Sequence, residues 1–526
     1  MGNQEQFLFV DAVTAASARR QGMDPRELEL ETQVVMKYLY TTLPDAPASA
    51  AAVLSALPVP DPSGADRLSA LPATLLRDIV SRLPTKDAAR TAVLSRRWRP
   101  VWRDTPLAFA DAHLVPGFLD GSRQPTRADT PDLVAVVSRV LVTLHPGPFR
   151  AVHLACCYMG AHPSHLARWV QALANKGVQD LVLVNRPWPR DMLLPAAIFA
   201  AATLTRLYLG LWKFPDPPVR PRSAAALFPN LRELVLSSMD MENRHLDFIL
   251  AACPALEKLG IQGIRNEGTR VRLVGHHRLR CVQISASVTE SIAVVDAPIL
   301  ERFFITLSMK PDDGSFVRVK IANTPNLRIL GHLKPGTHML EINNTVINAG
   351  VKASPSTMVP SVKILGLAVC FGVRNDAKKL PSFLKCFPNV ETLHILSEES
   401  DEVAGELDLK FWQEAGPIES IQSSIKAMTF RQFRMGQSEI SFLKFVFQSA
   451  QVLKNARISV SRGCATSPDL VSKVKTLIPD NGPSNSCHVL FCESSTPDGP
   501  VVGNFQRGFD FSVPDPFAGE VVLNVP

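Results

Sequence analysis

The strongest constraint on the fold of this 526-residue chain is a short apolar pattern that recurs from Phe149 onward. In each copy an apolar residue is followed by two variable positions, a second apolar residue, one variable position and a third apolar residue. The regular copies begin at Phe149, Val178, Leu204, Leu231, Leu256, Leu279 and Leu300. Less regular copies begin at Leu327, Val362, Val390, Ile425 and Leu453. Such a recurrence predicts one structural unit repeated many times.

Each copy predicts a short strand, because its last two apolar residues stand two positions apart and point to the same side of an extended chain. One such strand cannot bury its apolar side alone, whereas stacked copies bury one another. From Leu204 the copies start 27, 25, 23 and 21 residues apart, which is the spacing of leucine-rich repeats. Proline precedes the leading apolar residue by two positions at Pro229, Pro254, Pro298, Pro325, Pro360 and Pro388. We therefore predict an irregular leucine-rich-repeat solenoid of parallel strands over residues 130–404, with helical or irregular segments on its outer side.

Residues 66–104 predict three short helices. Pro72 fits a first helical position, and apolar residues at helical spacing follow it until Pro84 ends the helix. Thr85 and Ser95 are the predicted N-caps of the second and third helices. A module of about 40 residues without cysteine or metal seldom buries enough apolar surface to be stable alone. We therefore expect another protein to cover part of its apolar surface.

This stretch resembles the F-box, with LP near its start, LPTKDAARTAVLSRRWR through its middle and a closing Trp. One departure is Ala73, where many F-boxes have Asp. The resemblance implies docking on a Skp-type adaptor, which links an F-box protein to a cullin and so to a ubiquitin-transferring enzyme. We assign residues 64–112 to the F-box. By position, the resemblance gives adaptor binding to Leu71, Pro72, Leu75, Ile79, Leu83, Pro84, Val93, Leu94, Trp98 and Trp102.

Residues 405–465 resemble the FBD-type module that closes many plant F-box repeat proteins. Within it, IKAMTFRQF predicts a strand, SEISFLKFVFQSAQ a buried helix and LKNARISV a second strand. We interpret the module as a further repeat unit that caps the solenoid. Residues 466–526 are rich in Ser, Pro and Gly and predict a partly ordered tail.

The N-terminal extension, residues 1–63, divides into a predicted helix and a linker. Asp24, Pro25 and Glu27 form a helix-start signature before RELELETQVVMKYLY. Residues 41–64 mix Pro and Ala with Ser and Asp, as in a semi-extended linker. We expect the extension as a whole to be a poorly ordered lead-in. It lacks the basic segment of a secretory signal, and the chain has no run of about 18 apolar residues that would predict a membrane span.

The formal net charge of +7 is concentrated in the F-box-like stretch. Between Asp66 and Asp104 stand nine Lys or Arg residues and four Asp residues. Basic patches can bind nucleic acid. These charges, however, interleave with apolar residues, and no nucleic-acid fold signature accompanies them. We therefore favour an acidic protein partner over nucleic acid.

The nine cysteines include no CxxC pair, which predicts reduced thiols in the cytosol or nucleus. Cys156, Cys157, His162 and His165 lie close in sequence, but adjacent cysteines rarely bind one metal ion, so we favour buried thiols and loop histidines. The motifs GxSxG, HExxH, GxxxxGK[ST] and GxGxxG do not occur. No cysteine has the sequence context of a ligase nucleophile. We expect neither a cofactor nor a catalytic role.

The predicted fold class is α/β, with a short three-helix F-box, an irregular repeat solenoid and an FBD-type C-terminal unit. These features predict a substrate-receptor subunit of an SCF-type ubiquitin ligase in the cytosol, the nucleus or both. The alternative is a leucine-rich-repeat scaffold or binding protein without a ligase role. We expect the target protein on the concave face, where the outward strand positions are Arg206, Tyr208, Glu233, Lys258, Gln283, Arg302, Phe304 and His394. The other interpretation of that face is a solvated surface with incidental aromatic residues.

Overall fold

The structure is a computed structural model with two compact units, Met1–Leu256 and Glu257–Pro526. It describes residues 8–48, 67–187, 191–217, 227–264, 266, 268–309, 313–350, 354–399, 405, 407–461, 464, 487–493, 501–502, 505–518 and 521–522.

The first unit combines helices with a parallel sheet. Its α-helices are α1 (Ala12–Arg20), α2 (Pro25–Thr42), α3 (Ala73–Ser81), α4 (Thr85–Thr91), α5 (Trp98–Asp104), α6 (Thr130–Ser138), α7 (Pro163–Asn175) and α8 (Asn243–Ala251). Its strands are β1 (Leu107–Ala110), β2 (Phe149–Leu154), β3 (Asp180–Val184), β4 (Arg206–Gly210) and β5 (Glu233–Ser237). Within this unit the strands pair in parallel in the order of the chain.

The second unit is richer in strands. They are β6 (Lys258–Gln262), β7 (Arg270–Val274), β8 (Cys281–Ser285), β9 (Ser291–Val295), β10 (Arg302–Thr306), β11 (Val317–Ala322), β12 (Ile329–Leu333), β13 (His338–Ile342), β14 (Thr345–Val346), β15 (Ile364–Val369), β16 (Thr392–Ser397), β17 (Ala427–Phe433), β18 (Asn455–Val460), β19 (His488–Glu493), β20 (Val501–Val502) and β21 (Val521–Val522). The α-helices are α9 (Arg374–Ala377), α10 (Leu380–Lys385), α11 (Leu409–Glu414), α12 (Gln437–Ser449) and α13 (Phe505–Phe509).

From β6 to β13 the strands of the second unit alternate between two sheets, and β20 pairs with β21 in a separate sheet. The main sheet has the order β6-β8-β10-β12-β15-β16-β17-β18-β19, and its neighbouring strands are parallel. A second sheet has the order β7-β9-β11-β13-β14, with only β14 antiparallel. The prediction of helical or irregular outer segments is therefore wrong between Arg270 and Val346. The missed signal is the alternation of buried apolar and exposed residues in segments such as RVRLV, which is typical of a strand with one covered face.

The predicted α/β repeat fold is confirmed. The apolar residues predicted to point inward are buried in the regular copies and in the irregular ones, from Phe149 in β2 to Ile458 in β18. Neighbouring strands align these residues in register, so that Leu207 lies opposite Leu234 and Val282 opposite Phe303. Within each unit the core is thus a stack in which each repeat covers the next.

A turn carrying Pro and Asn precedes several repeat strands. In these turns the backbone N–H of the leading apolar residue donates to the carbonyl three residues earlier, as from Leu231 to Phe228 at 3.3 Å. The amide of Asn230 donates to the carbonyl of Ala202 at 3.0 Å, and Asn326 and Asn389 make equivalent bonds to Pro298 and Pro360. The proline positions were recognised in the sequence. The asparagine that ties each turn to the preceding repeat was not.

The FBD-type region forms the predicted strand, helix and strand as β17, α12 and β18. The helix is buried as predicted, through the six apolar residues Ile440, Phe442, Leu443, Phe445, Val446 and Phe447. Glu439 fixes the helix start, because its carboxylate accepts the backbone N–H of Arg434 at 3.0 Å and of Gly436 at 2.9 Å. Burial raises the pKa of Glu439, against these hydrogen bonds. The region does not end the sheet as a cap, since β19 pairs in parallel with β18.

The N-terminal extension is packed over residues 8–48, so the expectation of a poorly ordered lead-in is wrong there. Helix α2 starts after Asp24, whose carboxylate accepts the N–H of Arg26 at 2.9 Å, and the preceding helix α1 was not predicted. The buried Glu29 carboxylate accepts backbone N–H groups from residues 8 to 10 at 3.0–3.3 Å. Residues 49–64 of the predicted linker lie outside the described residues.

The residue that follows a repeat strand often has a left-handed backbone. Glycine fills this position at Gly263 and Gly275, but other residues also adopt positive φ there. They are Leu211, Ser238, Ala286, Asp296, Leu307, Asn323 and Asn343. A left-handed conformation costs an L-residue with a Cβ about 1–2 kcal/mol. The recurrence shows that the turn geometry of the repeat overrides the preference of the residue.

We predict that Gly275→Ala lowers the free energy of unfolding by about 1 kcal/mol. A Cβ at Gly275 would meet no atom within 4 Å, so the cost comes from its φ of +73° and not from a clash. Gly372→Ala is the matched control, because Gly372 is equally open but has a φ outside the left-handed region. Urea denaturation of both variants checks this, and equal stabilities would contradict it.

Candidate functional site

The three predicted helices of the F-box-like stretch are present as α3, α4 and α5. Their shared core contains Leu76, Val80, Ala88, Trp98 and Val101, all buried. The Trp98 indole donates through Nε1 to Ser69 Oγ at 2.9 Å. Pro72 and Pro84 stand just before the first helical residues of α3 and α4. Thr85 is the first residue of α4, and its hydroxyl donates to the carbonyl of Ala108.

Much of the remaining apolar surface of this stretch is exposed. Val93 is 83% exposed and Leu94 is 64% exposed, which is unusual for apolar side chains beside a small core. Leu75 and Ile79 are also exposed, and as neighbours four apart they share one side of α3. Leu68, which was not predicted, is 58% exposed. These five residues are called the apolar docking set below.

The other residues predicted for adaptor binding are placed differently. Trp98 is buried in the core of the three short helices, and its part in adaptor binding stays a prediction. Trp102 is half-buried, with its ring centroid 5.0 Å from that of His145. Leu71, Leu83 and Pro84 are also half-buried, and Pro72 is exposed.

The basic residues of the stretch are mostly exposed, and some have partners inside the chain. Arg82 pairs with Asp78 at 2.9 Å, and Arg90 pairs with Asp87 at 2.9 Å. Arg97 donates to the carbonyl oxygens of Ser69 and Leu71. Positive charge therefore surrounds the apolar docking set, although Arg97 is engaged in holding the helices together.

In the first unit, the outward strand residues predicted for substrate are covered. Tyr208 and Glu233 are buried, and the Tyr208 hydroxyl donates to the Glu233 carboxylate. Half-buried Arg206 lies 3.2 Å from Asp180 and 3.4 Å from Glu233. Helix α2 lies against the ends of these strands, as the Thr42 and Ser237 hydroxyls are 3.2 Å apart. The exposure predicted for this face is therefore wrong.

In the second unit, the corresponding face of the main sheet carries Lys258, Gln283, Arg302, Phe304 and His394, and we call it the outward face. Gln283, Arg302, Phe304 and His394 are buried, and Lys258 is half-buried. The cover is residues 505–518 of the chain itself, which we call the strap. The exposure predicted for these residues is wrong as well, because a segment far away in sequence lies on them. Their role in binding substrate stays a prediction.

Arg302 makes the densest contacts with the strap. Its Nη1 donates to the carbonyl oxygens of Gly508 and Asp510, each at 3.0 Å, and its Nη2 donates to that of Val513 at 2.8 Å. The Phe511 ring lies over the same guanidinium, with its centroid 4.6 Å from Cζ. One arginine therefore holds three main-chain carbonyl groups and one aromatic ring.

The far end of the strap inserts Phe517 among aromatic rings. Its centroid lies 5.5 Å from that of Phe304, 4.7 Å from His332 and 5.3 Å from His394. Asp515 accepts from His394 Nε2 at 2.9 Å. Burial raises the pKa of Asp515, but the hydrogen bond and charge of His394 outweigh burial and hold that pKa below its ordinary value.

The cysteine and histidine cluster considered for metal binding shows a different organisation. Cys156 and Cys157 are buried, and burial raises the pKa of both thiols well above the ordinary value. The Asp111 carboxylate accepts the N–H of Ala155 at 3.0 Å and of Cys156 at 2.8 Å. Among the residues that the structure describes, no group of three or more His, Cys, Asp or Glu side chains is arranged to hold a metal ion.

Three family models match the chain in order. Residues 68–109 match the F-box domain, and residues 413–458 match FBD. Residues 166–395 match the model described as FBD-associated F-box protein At5g56370, LRR repeats. The chain contains an F-box, leucine-rich repeats and an FBD region.

Several proteins of Arabidopsis thaliana are similar to parts of this chain. F-box/LRR-repeat protein At3g59200 is 31% identical over 38% of this chain and 37% of its own length. F-box/LRR-repeat protein At3g26922 is 26% identical over 50% of this chain and 74% of its own length. FBD-associated F-box protein At5g60610 is 24% identical over 75% of this chain and 100% of its own length. For At3g59200, and for FBD-associated F-box protein At4g13985, the match spans less than half of the relative.

Among the residues that the structure describes, no helix is both long and apolar enough to cross a bilayer.

We predict that stability falls as the pH drops below about 6.5, in part because of His332 beneath the strap. Burial, with the charges of His394 and Arg431, lowers the pKa of His332 to about 3, and burial with the charge of Lys334 lowers that of His338 to about 3. An unfolded histidine titrates near 6.5, so between about pH 3 and 6.5 the unfolded chain binds more protons than the folded chain. Each histidine therefore removes up to about 1.4 kcal/mol of unfolding free energy per pH unit in that window.

Urea denaturation at pH 7 and pH 5.5 measures this effect. His332→Asn is expected to show a smaller loss between the two pH values than the parent chain. His277→Asn is the control, because His277 is exposed and should leave the loss unchanged. Equal losses in all three proteins would contradict the prediction.

Proposed function

We propose that this chain is the substrate-receptor subunit of an SCF-type ubiquitin ligase, docked through its F-box on a Skp-type adaptor and through that adaptor on a cullin. The observation that carries the proposal is the apolar docking set, which lies within the region that matches the F-box model. Leu75, Val93 and Leu94 are about half-exposed or more, although buried side chains of the same kind form the core beside them.

Burying an exposed leucine or valine is worth about 1.5–3 kcal/mol. Five such side chains close together in sequence would supply much of the energy of a protein interface, which a few buried anchors usually dominate. The chain cannot turn these side chains inward, because Leu76, Val80 and Trp98 already fill the core of the three helices. A partner surface is the remaining way to remove them from water.

The charge around the docking set favours an acidic partner. Arg77, Lys86 and Arg99 are exposed at the same helices. Charges at the rim of an interface raise the association rate and fix orientation more than they raise affinity. We therefore expect adaptor association to slow as salt is added, because exposed charges more than about 8–10 Å apart are screened at physiological ionic strength.

In this proposal the chain performs no bond chemistry. It holds a target on the repeats and the transfer machinery on the F-box, so that an encounter between separate molecules becomes intramolecular. The nine cysteines are free thiols, which supports a reducing compartment such as the cytosol or the nucleus. The proposed targets are proteins.

We predict that Leu94→Asp weakens adaptor binding at least tenfold while the chain stays folded. Leu94 is 64% exposed, so a carboxylate there costs little in the free chain but would be desolvated at the interface. Leu119→Asp is the control, since Leu119 is exposed to a similar degree outside the F-box match. Titration of the adaptor by calorimetry, with circular dichroism as the check on folding, gives the comparison.

Unchanged adaptor affinity in Leu94→Asp would overturn the docking proposal. Trp98→Ala is a poor test, because loss of a buried indole costs about 3–5 kcal/mol of stability and would weaken binding through unfolding. If the adaptor binds but deletion of the gene leaves the abundance of the chain's partners unaltered, the alternative of a repeat scaffold without a ligase role is correct.

A further inference from the structure

The strap lies on the outward face as a bound peptide lies in a groove. Its main chain is held by strand side chains, including Gln283, whose Nε2 donates to the carbonyl of Phe505 at 2.9 Å. Arg431 donates to the carbonyl of Phe517 at 2.7 Å at the opposite end. Between them Arg302 binds three carbonyl oxygens, as described above. The bonds from Arg302 and Arg431 are charge-assisted, and together with the amide of Gln283 they hold the backbone of the segment at both ends and in the middle.

The face is shaped to receive the strap. A Cβ at Gly366 in β15 would lie 2.9 Å from the His332 ring and 3.3 Å from the Phe517 ring, so the missing side chain makes room for both. On the strap, a Cβ at Gly508 would lie 2.5 Å from Gln283 Oε1. Both surfaces therefore use a glycine at a point of close approach. The pocket for Phe517, formed by Phe304, His332, Gly366 and His394, is a property of the repeats.

The charge of the face is complementary to a peptide with carbonyl and carboxylate groups. Lys258 Nζ lies 5.7 Å from the Phe509 ring centroid, and Arg280 Cζ lies 3.9 Å from that of Phe511. Together with Arg302 and Arg431, these groups make a row of cations along the face. The strap supplies carbonyl oxygens, aromatic ring faces and the carboxylate of Asp515 to this row, each of which attracts a cation.

We propose that the outward face of the second unit is a peptide-binding site, that the strap is its resident occupant, and that a target protein binds by displacing the strap. The recognised segment would carry a carboxylate two residues before a phenylalanine, as Asp515 precedes Phe517, with further phenylalanines on its N-terminal side. Naming this ligand a ligase target rests on the proposed function. The existence of the site does not.

The strap belongs to the same chain as its binding site, and this tether determines how strongly it competes with a free peptide. A segment joined to its site in the same chain has an effective concentration in the millimolar range for a short linker. A free peptide of the same sequence should therefore bind the intact chain poorly. It should bind well once the strap has lost its own anchors, because the groove itself is unchanged.

The test uses the full chain and a fluorescent peptide with the sequence of residues 505–518, followed by anisotropy. The first variant is Asp515→Ala/Phe517→Ala, which weakens the strap. The second variant adds Arg302→Gln, which damages the groove. The matched control is Asp313→Ala/Phe316→Ala, because Phe316 is exposed and both residues lie outside the strap and the outward face.

The strap-weakened chain is expected to bind the peptide at least tenfold more tightly than the parent chain and the control. Arg302→Gln should abolish this gain, and a peptide with the same Asp and Phe changed to Ala should bind none of the proteins tightly. Equal affinity in the parent and strap-weakened chains would overturn the proposal.

A second measurement needs no substitution and so does not depend on the variants folding. In the parent chain, hydrogen exchange of the backbone amides of residues 505–518 should rise when unlabelled peptide is added at millimolar concentration. Exchange that stays unchanged would show that the strap is a permanent part of the fold, and would also overturn the proposal. Neither experiment contains the adaptor, so a failure here leaves the docking result with Leu94→Asp intact, and the reverse also holds.

Discussion

Parallel β-sheets are seldom left exposed on one face, and in this structure each unit covers the side of its sheet that lies opposite the apolar core. The apolar triads of the repeats bury only the inner face of each sheet. In the first unit helix α2 reaches the side of the sheet opposite the apolar triads, where the Leu39 Cδ1 atom lies 2.9 Å from the position that a Cβ on Gly210 would take. In the second unit the strap lies across the outward face. Each unit therefore completes its sheet with a segment from outside its repeats.

The sequence predicts the inner face well because the inner face has a period. Each triad places apolar residues such as Leu234 and Leu236 two apart, and the spacing between triads repeats. The segments that cover the opposite side of each sheet, helix α2 and the strap, do not recur along the sequence as the triads do. The strap is a short run rich in Phe, Asp, Pro and Gly. The repeats hold it mainly through its own backbone carbonyl oxygens, a group that every residue carries. Propensity and patterning contain no information about such contacts, so Arg302 was assigned to an exposed face although it is buried.

Other differences have similarly local causes. The second sheet, β7-β9-β11-β13, lies outside the apolar triads, so the repeat pattern does not predict it. Its own signal is the strand period of segments such as VRVKIA in β11. The resemblance to the F-box gives Trp98 to adaptor binding by its position alone. In a module of three short helices an indole is also the largest side chain available for the core. The large volume of the indole places Trp98 in the core, whereas the smaller side chains of Val93 and Leu94 remain exposed.

Helix α2 and the strap differ in the kind of segment that could replace them on the sheet. Helix α2 offers a continuous buried stripe that includes Met36 and Leu39, and Glu29 is locked to the backbone before α1, so a substitute would need the same apolar shape. The strap is held largely by arginines on carbonyl oxygens, which any peptide with the right backbone path can satisfy. Sequence selectivity at the outward face must then come from the few side chains that the groove contacts individually. These are Phe517 in its aromatic pocket and Asp515 on His394, which is why the proposed ligand is defined by an acidic residue and a phenylalanine and not by a long motif.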